Sequence, residues 1–272
     1  MRVNEVAGFL PLVYRLAVRL EQMTWNEFAF DVANFVYALR SAQRSMGYQF
    51  ILNNFDLGVE AGDREHSTSV NGPGQRKEAR LAVIVEATQR LCAERRDQRV
   101  IGLVTGPRTL APLIAPAEDR ADALHEAADL MVDVARRYCE AGVDVLIIAE
   151  DANVDGVSRV PELAPLIRQT LNMAHYYAIP CVLLQRDRTR EAVREAIDAG
   201  LDAVIGERHG EASTDQLIDA MPTSVLSQEP AAIIEWLRLH ARNPLSTSWE
   251  VPSAVKAENV ALVARALASV AA

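Results

Sequence analysis

The chain has 272 residues, half of them hydrophobic, and a formal net charge of −9. That acidity excludes a nucleic-acid surface of the ordinary basic kind. No segment reaches the roughly 18 uninterrupted apolar residues a membrane span needs, and the length suits one α/β barrel. Cys92, Cys139 and Cys181 are widely spaced with no CxxC pair, so they read as buried free thiols of a protein in a reducing cytoplasm.

Val6 to Leu20 is apolar-rich but interrupted by Arg15 and Arg19, which reads as a first helix over 4–22 and not as a targeting signal. A second helix, 25–46, places Phe28, Val32, Phe35, Val36 and Leu39 at three- and four-residue spacing along one apolar stripe. Tyr48–Leu52 is a short strand that runs into the polar turn Asn53, Asn54, Phe55 and Asp56. Residues 63–76 (DREHSTSVNGPGQR) have the composition of a flexible loop.

A regular cadence follows. Helix 77–95 leads to strand Val100–Val104 and the turn Thr105-Gly106-Pro107, and helix 119–141 leads to strand Val143–Ile148, which ends at Glu150 and Asp151. Helix 162–177 precedes strand Cys181–Leu184, and helix 190–199 precedes strand Ala203–Ile205, which ends at Glu207. Ser213 and Gln216 form a capping-box pattern for a helix over 214–220. A strand over Ser224–Leu226 ends at Gln228, helix 230–240 comes next, and Ser246–Pro252 precedes helix 257–270.

About seven short apolar strands alternating with helices imply parallel pairing. The chain therefore reads as a single domain over 1–272, a (β/α)8 TIM-type barrel with extra N-terminal helices in 1–46. A doubly wound open sheet is the competing fold. It is not supported by any GxGxxG after a first strand, or by GxxxxGK[ST].

Polar residues at the C-terminal ends of barrel strands converge on one pocket. The catalytic candidates are Asp56, Glu150, Asp151, Glu207 and His209, because carboxylates sharing a pocket split their proton affinities and suit acid–base work. The substrate-binding candidates are Asn54, Thr105, Gln185, Arg186, Gln228 and Trp249. Arg186 can grip a carboxylate bidentately, or it can pair with Glu207 or Asp187 inside the protein. Trp249 can cover a hydrophobic ligand or simply pack the barrel mouth. Glu250 stands beside it at the same strand end.

Val100–Leu113 (VIGLVTGPRTLAPL) resembles the second barrel strand and following helix of the uroporphyrinogen decarboxylase-like superfamily. That group includes the haem-pathway decarboxylase and corrinoid-dependent methyltransferases. The resemblance continues through Cys-Glu-Ala-Gly, Val143-Asp144-Val145 and Ile147–Asp151. It resumes at Ser248-Trp249-Glu250-Val251-Pro252 and Glu258-Asn259-Val260, while Asn53–Ala61 (NNFDLGVEA) is similar to the family's first strand exit. In the methyltransferase branch the strand at 181–184 would exit as His-x-Cys-Gly and supply zinc ligands, with a third Cys near the last strand. Here those positions read Leu184, Arg186, Asp187 and Trp249, so the resemblance implies an enzyme without metal or other cofactor.

What the resemblance implies is decarboxylase- or lyase-type chemistry on a small organic acid, with Arg186 as anchor and Asp56, Glu150, Asp151 or Glu207 as proton carrier. One alternative is a methyltransferase-like protein that has lost zinc and still docks a corrinoid protein. Another is a non-catalytic binding subunit. The apolar stripes of 4–46, with Phe9, Phe28, Phe35 and Tyr37, predict a homodimer that buries them.

Overall fold

The computed structural model describes residues 8–62, 77–95, 97–115, 119–151, 163–185, 190–206, 216–240 and 244–271. The expected loop over 63–76 lies outside them. Eight parallel strands are present: β1 (Phe9–Leu10), β2 (Phe50–Leu52), β3 (Arg99–Thr105), β4 (Val145–Glu150), β5 (Cys181–Gln185), β6 (Ala203–Gly206), β7 (Leu217–Met221) and β8 (Leu245–Thr247). They pair in the order β1-β8-β7-β6-β5-β4-β3-β2, and with helices between them they form a nearly closed (β/α)8 barrel.

Among the described residues β1 and β2 share no register. They are nonetheless neighbours, because a Cβ added to Gly8 would meet Gln49 Oε1 at 3.4 Å. Among the described residues ten α-helices accompany the strands: α1 (Arg15–Leu20), α2 (Trp25–Ala29), α3 (Val32–Met46), α4 (Lys77–Ala93), α5 (Pro107–Ile114), α6 (Arg120–Ala141), α7 (Leu163–Tyr176), α8 (Arg190–Asp198), α9 (Pro230–His240) and α10 (Ala257–Ala271). No described helix is long and apolar enough to cross a membrane.

Four differences from the sequence reading have local causes. The first helix, 4–22, is instead β1 followed by α1, because Leu10 and Phe9 pair with Ser246 and Leu245 of β8. The helix over 25–46 breaks at Asp31, whose carboxylate accepts from Asn34 N at 2.8 Å and starts α3 afresh. The helix over 214–220 is the strand β7, held by ladders to β6 and β8. The strand over Ser224–Leu226 is a 3-10 turn at Val225–Ser227, so the true strand exit there is Met221, and with β1 added the sheet has eight strands in place of about seven. It also follows that the strand exit at Asn53 is the second in the barrel, and Val100–Val104 lies in the third.

The apolar strand positions Leu10, Leu52, Ile101, Leu103, Ile147, Val182, Leu184 and Ile205 are almost wholly buried. Burying each such side chain contributes roughly 1.5–3 kcal/mol. The N-terminal aromatic stripe is used inside the chain: Phe28 stacks on Phe35 at 4.5 Å, and Tyr14 meets both edge-on. Phe9, Phe28 and Phe35 are buried and Tyr37 is half exposed, so the motive for a dimer given by that stripe is largely removed.

One device occurs twice at the N-terminal end of the barrel. Helices α6 and α8 lead to Gly142 and Gly200, both with positive φ (84° and 99°), in the segments Ala-Gly-Val-Asp and Ala-Gly-Leu-Asp. Asp144 then reaches back to accept Val100 N of β3 at 2.8 Å and to pair with Arg95 at 2.5 Å. Asp202 likewise accepts Cys181 N of β5 at 2.8 Å and meets His175 Nε2 at 2.9 Å. Each aspartate thus serves an amide at the start of the preceding strand, Val100 being the second residue of β3 and Cys181 the first of β5.

Candidate functional site at the barrel mouth

Chain direction at β2 decides what faces the mouth. Asn53 Nδ2 donates to Thr88 Oγ1 on α4 at 3.0 Å, so its side chain points out of the sheet. Successive residues of an extended chain alternate, which turns Asn54 toward the barrel axis. Asn54 Oδ1 accepts from Asp56 N at 2.9 Å, an Asx turn that bends the chain away from the strand.

Asp56 lies on the rim, its side chain 23% exposed, and Arg80 Nε grips Oδ2 at 2.5 Å. Arg80 itself is buried and also donates to Ala29 O at 3.0 Å and to the Tyr14 hydroxyl. Burial raises the proton affinity of Tyr14, so it stays a neutral phenol. The Arg80 guanidinium lies over the Trp25 ring at 4.6 Å, and Arg15 lies over the same ring at 5.0 Å. Arg15 N donates to Glu250 Oε1 at 2.8 Å, while its guanidinium is 3.8 Å from Oε2. Glu250 is therefore joined to Trp25 through one arginine and Asp56 through another.

The two carboxyls are in unlike surroundings. Desolvation pushes Glu250 up to about 7, against the lowering effect of Arg15 and with a further push from the Asp56 charge. Trp249, just before it, meets Phe55 edge-on at 5.2 Å and forms an apolar corner between the exits of β8 and β2. Thr247 Oγ1 accepts from Leu12 N at 3.0 Å and Val251 N donates to Leu12 O at 2.9 Å, which ties the exits of β1 and β8 together.

Glu150, at the end of β4, is buried and turned to the start of α5. It accepts from Arg108 N at 3.1 Å, Thr109 N at 2.9 Å and Thr109 Oγ1 at 2.7 Å. Burial raises its proton affinity, opposed by these donors. Gly106 permits the approach, since a Cβ there would lie 2.3 Å from Glu150 Cδ. Thr105 is engaged likewise: its hydroxyl accepts from Gly58 N and donates to buried Glu60 at 2.7 Å, and desolvation also pushes Glu60 up.

Asp151 N donates to Thr109 Oγ1 at 2.7 Å, and Gln185 pairs in register with Glu150 and is half-buried. Gln228 is exposed beyond the 3-10 turn, seven residues past β7, so it does not stand at a strand exit; its carbonyl accepts from Asn259 Nδ2 at 3.1 Å. Arg186, Glu207 and His209, and with them Asp187, lie outside the described residues.

The structure thus brings Asn54, Asp56 and Trp249 together on the β8–β1–β2 side, and Thr105, Glu150 and Asp151 around the start of α5. Sequence reasoning did not single out Tyr14, Arg80 or Glu60, and it left Glu250 without a role. For Arg80 a signal exists: it continues the buried stripe Ile84, Ala87 and Leu91 at helical spacing, a lone cation on an apolar face.

The donor set for a zinc ion of the family kind does not fit. Leu184 is a fully buried aliphatic side chain and Trp249 offers no ligating lone pair. Among the described residues no three His, Cys, Asp or Glu side chains are grouped to hold a metal ion.

No family model and no curated protein sequence matches the chain. Solved structures do. A methyltransferase from Methanosarcina mazei is similar over 98% of this chain and 94% of its own, with 16% identity and a TM-score of 0.69. A B12-independent methionine synthase from Shewanella sp. W3-18-1, in complex with selenomethionine, is similar over 92% of this chain and 90% of its own, with 12% identity and a TM-score of 0.59. The homocysteine methyltransferase MmuM from Escherichia coli covers 96% of this chain and 95% of its own at 12% identity, with a TM-score of 0.52. At these identities the likeness shows a shared fold alone, a (β/α)8 barrel, in agreement at the level of fold with the resemblance read from the sequence.

Proposed function

We propose that the chain is an enzyme whose barrel mouth performs acid–base chemistry on a small organic acid, of decarboxylase or lyase type, with Asp56 and Glu250 as its working carboxyls. The observation that carries this reading is their unlike setting: Asp56 is anchored by the buried cation Arg80, whereas Glu250 is desolvated to about 7. A carboxyl raised to about 7 can give up or take up a proton at neutral pH. Glu250 delivers or removes the proton at the substrate, and Asp56 is held beside it by Arg80. Trp249 and Phe55 form an apolar corner at the exits of β8 and β2, next in sequence to Glu250 and Asp56. Three buried free thiols, Cys92, Cys139 and Cys181, fit a reducing compartment.

A 13C NMR titration of the Glu250 carboxyl tests the reading. A midpoint near neutrality supports it, and a midpoint in the ordinary carboxylate range overturns it. Turnover follows by proton NMR in D2O over a panel of simple carboxylic and 2-oxo acids. Deuterium incorporation or loss of carboxylate is expected, and both are abolished in Glu250→Gln and Asp56→Asn.

A second reading is a methyltransferase-like protein, favoured by the three methyltransferase-type structures that share the fold. Methyl transfer to a thiol acceptor, with a corrinoid protein as the donor partner, would establish it in place of the first.

A further inference from the structure

Two adjacent asparagines at the end of β2 are treated differently by the fold. Asn53 has both ends engaged: Nδ2 donates to Thr88 Oγ1 at 3.0 Å, and Oδ1 accepts from Leu103 N at 2.9 Å. Asn54 is just as completely buried, yet only its oxygen is engaged, by Asp56 N at 2.9 Å. Its Nδ2 has no hydrogen-bond partner among the described residues.

Because the Asp56 amide can only donate, it identifies the bound end of the Asn54 side chain as oxygen, so the unserved end is the amide with two N–H donors. A buried donor of this kind costs stability, and folded proteins seldom retain one without a use. Its direction is set from both sides. Asn53 points outward to α4, so Asn54 points to the axis at the C-terminal end of the barrel, where such folds bind their ligands. The same Asx turn that fixes Asn54 also fixes the backbone of Asp56, so donor and carboxylate are presented as one rigid unit.

We infer that Asn54 Nδ2 is a ligand-binding donor that receives an sp2 oxygen of the substrate, either a carboxylate or a carbonyl oxygen. The inference rests on the acid–base reading of the mouth and deepens it by naming the functional group that docks there. An alkylammonium ion or a hydrocarbon has no acceptor to offer this amide. A substrate with a carboxyl or oxo group supplies one, and the group it carries is then held next to Asp56 and Glu250. The hydrogen bond forms without proton transfer, so no other reactant is needed.

The test uses the full chain and follows the side-chain amide signals of Asn54 in 15N–1H spectra, assigned by their loss in Asn54→Leu. Acetate offers a carboxylate alone, acetone a carbonyl alone and pyruvate both, with ethylammonium as the control that has no acceptor. The expected result is a saturable shift of the Asn54 amide pair with pyruvate and with at least one of the single-group probes, and none with ethylammonium. Which single-group probe acts tells carboxylate from carbonyl. Asn54→Leu should bind the active probes about tenfold more weakly, the worth of one hydrogen bond. Asn54→Asp, closer in shape and acceptor-only when ionised, should lose acetate binding in the same way if the leucine variant fails to fold.

An amide pair that ignores every oxygen probe, or a variant that binds them as well as the parent, overturns the inference; so does a parent that binds none of them. Each of those outcomes can occur while Glu250 still titrates near neutrality, which would leave the acid–base reading standing. Conversely, an Asn54 response in a protein whose Glu250 titrates normally would sink that reading and keep this one.

Discussion

The two ends of the barrel are built on opposite terms. At the N-terminal end, Asp144 and Asp202 each satisfy a strand amide and meet a basic side chain, in two copies of one Ala-Gly-x-Asp design. At the C-terminal end a buried amide goes unserved at Asn54, a carboxyl at Glu250 is held near neutrality, and the Arg80 guanidinium is buried behind the rim. The lower end repeats because its task, starting parallel strands, is the same each time. The mouth does not repeat, and its local hydrogen-bonding deficits are what a site that completes itself with a ligand would have.

The sharpest way to break this contrast is at Arg80. Arg80→Ala leaves Asp56 and Tyr14 facing a buried void and should cost about 3–5 kcal/mol in urea unfolding. Arg80→Lys, which keeps the charge and loses the fork, should fall between that variant and the parent. If Arg80→Ala costs no more than a substitution at the lower end, the mouth is not the strained end.

The next effect is in pH. Glu250 binds its proton more tightly folded than unfolded, so its contribution to stability is complete below about 4.5 and lost as pH rises through about 7. A shift of that size is worth about 3 kcal/mol. Glu60 and Glu150 are pushed the same way and add to the slope. Unfolding free energies at about pH 5 and about pH 8 should differ less in Glu250→Gln than in the parent. An unchanged difference would place the titration elsewhere.

Gly106→Ala comes third. Its Cβ would overlap the Glu150 carboxyl at 2.3 Å and dislodge it from the Arg108 and Thr109 amides, at about 1–3 kcal/mol by thermal unfolding. The smallest effect belongs to the lower end. Asp144→Ala and Asp202→Ala should each cost about 1–2 kcal/mol. The costs should add, since the two devices share no residue. Acetate binding at the mouth should be unaffected in either variant, and a change there would couple the ends.

Most of the barrel was legible in the sequence because strands β3 to β6 are continuous apolar runs and helices α6, α7 and α9 carry stripes of helical period. The misread elements are those whose tertiary pairing overrides local signals. β1 has two residues within a stretch that looks helical, and it becomes a strand only because β8 is there to pair with it. β7 carries Asp219 in its middle and follows a capping-box pattern, so its period misleads until the ladders on both sides are seen. The candidate site was legible where it follows directly from strand exits, at Asn54, Asp56 and Trp249. Arg80 and Tyr14 arrive there from helix α4 and the start of α1, and no local pattern links positions 14, 56 and 80. The chemistry of the mouth depends on a three-way contact that chain order does not encode.

Among the described residues no strand ladder joins β1 to β2, and that gives the contact a mechanical meaning. Tyr14 follows the β1 side of the slit and Asp56 the β2 side, and one guanidinium holds both while tethering α2 through Ala29. Arg80 is a side-chain stitch between the exits of β1 and β2. Glu250, tied to β1 through the Leu12 contacts, and Asp56 stand on its two sides. Any widening there would separate the two carboxyls, and any closing would press them together, so their spacing depends on a side chain as well as on strand ladders.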